Sequence, residues 1–276
     1  MGATSLTVSR GGNTNNLQVI YLQLLNLDKN QFNLYVGNQG IDGLALLKSL
    51  PEHSQHLLAK PITLSMICKL YIKEKKLPGN IVDLYREAIQ LKLTEQNEEH
   101  REHVEREYNK INLNDMWEVA EKYAAITTFS DRSMISGVEI TQEQLVPRGL
   151  SGLDANVENI TFNTELFEVY ERQLRRFDEP DLANYLTANY LNRLVSDENL
   201  SLKDCWKLFM SSQDVQLPIP RLAGAWGWLC ILNYRFREKA IYIFPQLIMN
   251  DFPEDLTSDD KLSIWNYLLE RYGQRD

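Results

Sequence analysis

At 276 residues, with 43% hydrophobic and 24% charged side chains, the chain has the composition of an ordinary globular protein and is not disordered, fibrous or collagenous. Its 29 Lys and Arg against 38 Asp and Glu, a net charge of −9, argue against a protein whose main work is neutralising nucleic-acid phosphates. Three cysteines (Cys68, Cys205, Cys230), odd in number and far apart, speak against a disulfide framework or a paired-cysteine metal site and fit a reducing compartment, the cytoplasm.

In chain order, Leu6-Thr7-Val8 is a short β-type run that stops at the turn cluster Ser9-Arg10-Gly11-Gly12-Asn13. It reads as a strand without a sheet, and its unpaired backbone groups predict that the chain begins inside a domain. The opening residues are not expected to act as a secretory signal, since Met1-Gly2-Ala3-Thr4-Ser5 lacks a basic region leading into an apolar one. From Asp28 the helical period takes over, with Asp28 as N-cap of Lys29–Val36 and Gly37 as its stop. Leu44, Leu46, Leu47 and Leu50 mark the next apolar face. Pro61 then opens a helix carrying Ile62, Leu64, Met66, Ile67, Leu70 and Tyr71, expected to be buried nearly all round.

After the turn Leu77-Pro78-Gly79-Asn80, the residues Ile81, Leu84, Tyr85, Ala88, Ile89 and Leu91 keep a helical spacing into the polar stretch Glu95–Glu107, which reads as a solvated helix or loop. Trp117, Ala120, Tyr123, Ala124 and Ile126 predict another amphipathic helix. The stretch Ser130–Val157 is the least regular, and its Leu145-Val146-Pro147-Arg148-Gly149 reads as a loop. Phe167 and Tyr170 lead towards a long helix with Leu182, Tyr185, Leu186, Ala188 and Leu191. The remainder reads as helices punctuated by Pro218, Pro220, Pro245 and Pro253, with the rhythm of an α-solenoid. Its longest apolar run, Leu222–Leu232, falls short of the ~18 residues that cross a bilayer.

Chemistry-bearing motifs are sparse. The chain has no G-x-x-x-x-G-K-[ST] phosphate loop, no G-x-S-x-G elbow and no H-E-x-x-H helix, and His53, His56, His100 and His103 all lie in polar text. His100 and His103 share a helical spacing suited to a metal with Glu99 or Glu102, but a solvated charged helix accounts for them more simply. Trp226, Trp228, Tyr234 and Phe236 are spaced for core packing rather than base stacking.

Three separated patterns, in order, resemble the NACHT-type STAND NTPases, the signalling P-loop ATPases of animal innate-immune receptors and bacterial defence proteins. Ser5-Leu6-Thr7-Val8-Ser9-Arg10 resembles the family's sensor 1 strand, whose arginine faces the nucleotide phosphates. Leu57-Leu58-Ala59-Lys60-Pro61-Ile62-Thr63-Leu64, followed by Leu77-Pro78 and Leu84-Tyr85, resembles the helical domain 1 segment whose proline packs near adenine; Lys60 stands where the family usually has Asn. Phe177-Asp178-Glu179-Pro180-Asp181-Leu182-Ala183-Asn184-Tyr185-Leu186 resembles the end of the winged-helix domain. There Glu179 falls on the position of a histidine that touches the ADP β-phosphate, and a carboxylate there repels phosphate unless it is protonated or bridged by a cation. Pro220 to Asp276 resembles the helical region that follows in many large bacterial members.

The resemblance implies a mainly α chain: a sensor-strand remnant over 1–12, helical domain 1 over 13–112, a winged-helix-like domain over 113–195 and a solenoid-like helical domain over 196–276, with an orphan N-terminal β-strand. It implies the regulatory arm of an ATPase whose Walker A and B core lies elsewhere, with Arg10, Pro61 and Glu179 as nucleotide contacts and ATP or ADP, with Mg²⁺, as cofactor of the intact protein. Alone, this portion is expected to be catalytically inert and not to hold nucleotide tightly. Its expected partners are the upstream P-loop core, further copies in an oligomer, and a protein bound by the C-terminal helices, with neither membrane nor nucleic acid among them. The alternative is an α-helical interaction scaffold that binds no nucleotide.

Overall fold

The computed structural model describes residues 5–6, 19–20, 26–50, 52–95, 112–136, 145–170, 174–211, 217–245 and 258–272. The described chain is mainly helical with a small mixed four-stranded sheet. It divides into two compact units, Met1–Leu77 and Pro78–Asp276.

In the first unit, β1 (Ser5–Leu6) pairs antiparallel with β2 (Val19–Ile20), in the register Ser5 to Ile20 and Leu6 to Val19. This corrects the expectation of an orphan strand: the backbone's demand for partners is met from within the chain, so an unpaired strand no longer argues for an opening inside a domain. Helix α1 (Lys29–Asn38) starts where its cap dictates. The Asp28 carboxylate accepts from the Asn30 and Gln31 amides at 2.8 Å each, and the Gln31 side chain accepts from the Asp28 amide at 3.0 Å, a capping box. The helix runs through Gly37, contrary to expectation. The left-handed position falls on Gly40 (φ 70°), where Ile41 N–H donates to Val36 O and Gly40 N–H to Gly37 O, a Schellman ending with Val36 and Ile41 both buried.

Helix α2 (Gly43–Ser49) is capped by Asp42, and a 3₁₀ segment over Glu52–Ala59 buries Leu57 and Leu58. Against that segment packs α3 (Pro61–Glu74), with Leu64, Met66, Ile67, Cys68 and Leu70 in the core. It is not buried all round: Lys69, Ile72, Lys73 and Glu74 are exposed, because a helix at the edge of a small unit needs only one apolar face.

In the second unit, α4 (Ile81–Thr94) starts at Asn80, whose side chain accepts from the Asp83 amide, and buries Leu84, Tyr85, Ala88, Ile89 and Leu91. Helix α5 (Leu113–Ser130) buries Met116, Val119, Ala120, Tyr123 and Ala124. The irregular middle of the sequence folds as β3 (Met134–Ser136), β4 (Leu145–Val146), α6 (Ala155–Phe162), β5 (Phe167–Val169) and β6 (Leu174–Phe177). The sheet order is β4-β3-β6-β5, with β3 parallel to β4 and antiparallel to β6, and β5–β6 an antiparallel pair. Leu145 and Val146 are therefore a buried strand rather than loop, since both side chains enter the core and their backbone pairs with Met134 and Ile135.

The long helix α7 (Pro180–Ser196) is the centre of this unit, with α5 on one side and α9 (Ala223–Leu232) on another. Helix α8 (Leu202–Leu208) also touches α7, α10 (Tyr234–Ile243) packs on α9, and α11 (Ser258–Tyr272) packs on α10. Trp228 meets Tyr85 and Tyr185 at ring-centroid distances of 4.5 and 5.1 Å, while Trp206, Phe209, Trp226 and Phe236 form a second cluster. Three of the four aromatics in the Trp226–Phe236 stretch are core as expected, and Tyr234 is exposed. None of the described helices is long and apolar enough to cross a membrane.

Candidate functional site at the start of α7

Strand β6 ends at Phe177, and the chain turns through Asp178 and Glu179 into α7. Pro180 at the first helical position sets the helix start, and as the residue before a proline Glu179 is held extended (φ −127°, ψ 122°). Its side chain makes no cap bond. It turns instead to Lys92, in the last turn of α4, where the negative end of the helix dipole favours a cation. Lys92 is buried; its Nζ lies 2.6 Å from Asp178 Oδ2 and 3.7 Å from Glu179 Oε1.

One ammonium thus serves two carboxylates, and the close contact goes to Asp178. Glu179 is only 8% exposed. Burial pushes its carboxyl up to about 7; Lys92 opposes that rise, while Asp178 and Asp181 add to it. The 3.7 Å approach of Lys92 favours the ionised form and burial disfavours it. Burial prevails because the ammonium charge is already matched by the nearer Asp178. The trio can hold a proton near neutral pH and has the net charge of one cation and one anion when it does.

The other residues singled out by the sequence fall elsewhere. Arg10, His100 and His103 lie outside the described residues, as do the side chains of His53 and His56. Pro61 occupies the first position of α3 in the first unit. Lys60 before it has N-cap geometry (φ −85°, ψ 116°) but makes no side-chain cap bond, leaving the first amides of α3 without that acceptor. Lys60→Asn is expected to raise stability by about 1 kcal/mol, read as a higher urea midpoint with unchanged slope. An unchanged midpoint would mean that these amides are already satisfied.

Lys92 was not singled out by sequence reasoning. The signal was present, since residues 84, 88 and 92 follow one helical face and place a lysine among core positions. Asp178 belonged to a recognised pattern but carried no role. Among the described residues no group of three or more His, Cys, Asp or Glu is placed to hold a metal. Cys68, Cys205 and Cys230 are free and buried, and burial pushes the Cys68 thiol up to about 11 and the Cys205 thiol to about 12. Compared with known proteins, the chain matches no family model and no curated sequence.

Proposed function

We propose that this chain is the regulatory arm of a nucleotide-controlled switch of the NACHT-type STAND class, coupling the nucleotide held by a P-loop core to rearrangement and self-association. The observation that carries the reading is the position of Glu179. It stands at the start of α7, where the family resemblance puts a phosphate-touching histidine, and its environment removes the objection to a carboxylate there. A carboxyl group with a pKa raised to about 7 is available in neutral form and no longer repels a phosphate, while Lys92 stays committed to Asp178.

The order of elements supports the same reading. The order α5, β3, β4, α6, β5, β6, with β3 hydrogen-bonded to β6, is compatible with a winged helix that carries β4 as an added edge strand, and α7 holds most of the motif that the resemblance puts at the end of that domain. In this reading helical domain 1 takes in α1–α3 of the first unit and α4 of the second, and α8–α11 form a solenoid-like region that offers a face to a protein partner. Arg10 and Pro61 supply further contacts to nucleotide, and Mg²⁺ comes with the core. The arm itself performs no hydrolysis.

The test is a fusion carrying a STAND P-loop core upstream of Met1. ADP is expected to bind with an affinity that falls as pH rises through 7, and Glu179→Gln, which cannot ionise, is expected to remove most of that pH dependence. Arg10→Ala and Pro61→Ala are expected to weaken binding by about tenfold each, the loss of one charge-assisted bond or one packed ring. A folded fusion whose nucleotide affinity ignores all three substitutions would return the chain to the alternative reading, a helical scaffold without nucleotide.

A further inference from the structure

The C-terminal unit contains a cleft of about 550 Å³ beside the start of α7, with Asp178, the partner of Lys92, in its lining. Glu179 is not among its lining residues. Its walls are the last turn of α5, the end of β6 and the first two turns of α7, with Arg221 added from the turn before α9. Three guanidinium groups line it, Arg132, Arg176 and Arg221, in a chain whose net charge is −9.

The charges divide unevenly between paired and unpaired. Arg176 is committed to Glu168 at 2.6 Å, and Asp178 to Lys92 at 2.6 Å. Among the described residues Arg132 and Arg221 have no carboxylate partner. Arg221 donates to Thr128 O at 2.6 Å and Phe129 O at 3.0 Å, the otherwise open carbonyls at the end of α5. Arg132 makes a longer bond, 3.4 Å, to Leu145 O. Backbone carbonyls fix a guanidinium in place without cancelling its full charge, so the outer N–H edges remain for another acceptor. The exposed carboxylate of Asp131 also lines the cleft, leaving two unpaired cations against one unpaired anion.

Asn184 is the second observation. It is half-buried on α7, lines the cleft, and its side-chain amide has no hydrogen-bond partner among the described residues. It is wedged against Gly224 of α9, where an added Cβ would lie 2.2 Å from Asn184 Nδ2. A side chain at 224 would therefore push the Asn184 amide from its present position. Phe177, Pro180 and Ala183 give the cleft an apolar wall beside these donors.

We propose that this cleft is a binding site for a small ligand bearing an oxyanion, a phosphate or a carboxylate, gripped by Arg132 and Arg221 with Asn184 as a neutral donor. The forked donors of two arginines suit the paired oxygens of either group. Glu179 does not line the cleft, and the proposal does not depend on the nucleotide reading above.

The test is an amide-resolved NMR titration of the full chain with inorganic phosphate and, separately, with acetate, against sodium chloride at matched ionic strength. Saturable shifts centred on the amides of Thr128, Ser133 and Asn184 are expected with at least one oxyanion, and the better of the two identifies the ligand's head group. Arg132→Gln is expected to weaken that binding by about tenfold, and Arg221→Gln likewise. Arg235→Gln, an exposed arginine on α10 outside the cleft, should leave it unchanged. Because Arg221 also closes the end of α5, Arg132→Gln is the deciding variant if Arg221→Gln unfolds. Shifts that chloride reproduces, that do not saturate, or that ignore Arg132→Gln would overturn the proposal.

Discussion

Glu121→Ala is expected to destabilise the C-terminal unit by roughly 3 kcal/mol or more. Glu121 is 1% exposed and sits between α5 and α7. Its Oε1 accepts from Trp117 Nε1 at 3.0 Å and Asn189 Nδ2 at 2.7 Å, and its Oε2 accepts from Arg193 Nη2 at 2.7 Å. The hydrogen bond from Arg193 also raises that guanidinium's own pKa, as expected for a cation held by its counter-ion. Removing the carboxylate leaves the indole and amide donors without an acceptor and opens a cavity at the packed face of the two helices.

The cost divides unequally among the partners. Arg193 is 43% exposed, so water takes over much of its solvation and Arg193→Ala is expected to cost only about 1 kcal/mol. Glu121→Gln keeps the shape and one acceptor but turns an amide towards the guanidinium, and should fall between the two. Urea denaturation of the full chain measures all three. A Glu121→Ala effect below about 1 kcal/mol would mean that the network fixes the register of α5 on α7 without adding stability.

Helix starts were legible in the sequence because capping is local chemistry. Asp28 and Pro61, read as helix starts, stand where the described helices begin; Asn80, read as part of a turn, and Pro180, read only within a longer pattern, start α4 and α7 by the same local chemistry, acting through atoms within three residues. The end of α1 was harder to read, because Gly37 and Gly40 are both able to take the left-handed position and only the chain's onward path to Ile41 chooses between them. The sheet was not legible. Its strands are two to four residues long, too short to alternate, and their pairings, such as Ile135 with Arg175, join distant parts of the chain. The same distinction holds at the candidate site. A resemblance drew attention to Glu179, and the period of α4 could have flagged Lys92. Their meeting depends on α4 and α7 coming together, which no local pattern encodes.

The burial of Glu179 in that packing makes stability depend on pH in a direction opposite to most buried carboxylates in ion pairs. The folded-state pKa of Glu179 is raised from an ordinary 4.5 to about 7, first by burial and then by Asp178 and Asp181, with Lys92 only partly offsetting them. The folded chain therefore binds this proton more tightly than the unfolded chain does. The stabilisation associated with the proton is fully present below pH 4.5 and is lost as pH rises through about 7. A shift of this size corresponds to on the order of 3 kcal/mol. Glu179→Gln, which mimics the protonated form, is expected to be no less stable than the parent chain near pH 5 and more stable by that amount above pH 8. Other groups titrate over the same range, so the measurement is the difference between the urea midpoints of the two chains at each pH. That difference should open between pH 5 and 8 and level off beyond it. Parallel curves would show that Glu179 stays ionised throughout, held by Lys92 despite the nearer Asp178, and the neutral-carboxyl argument for phosphate contact at this position would fall with it.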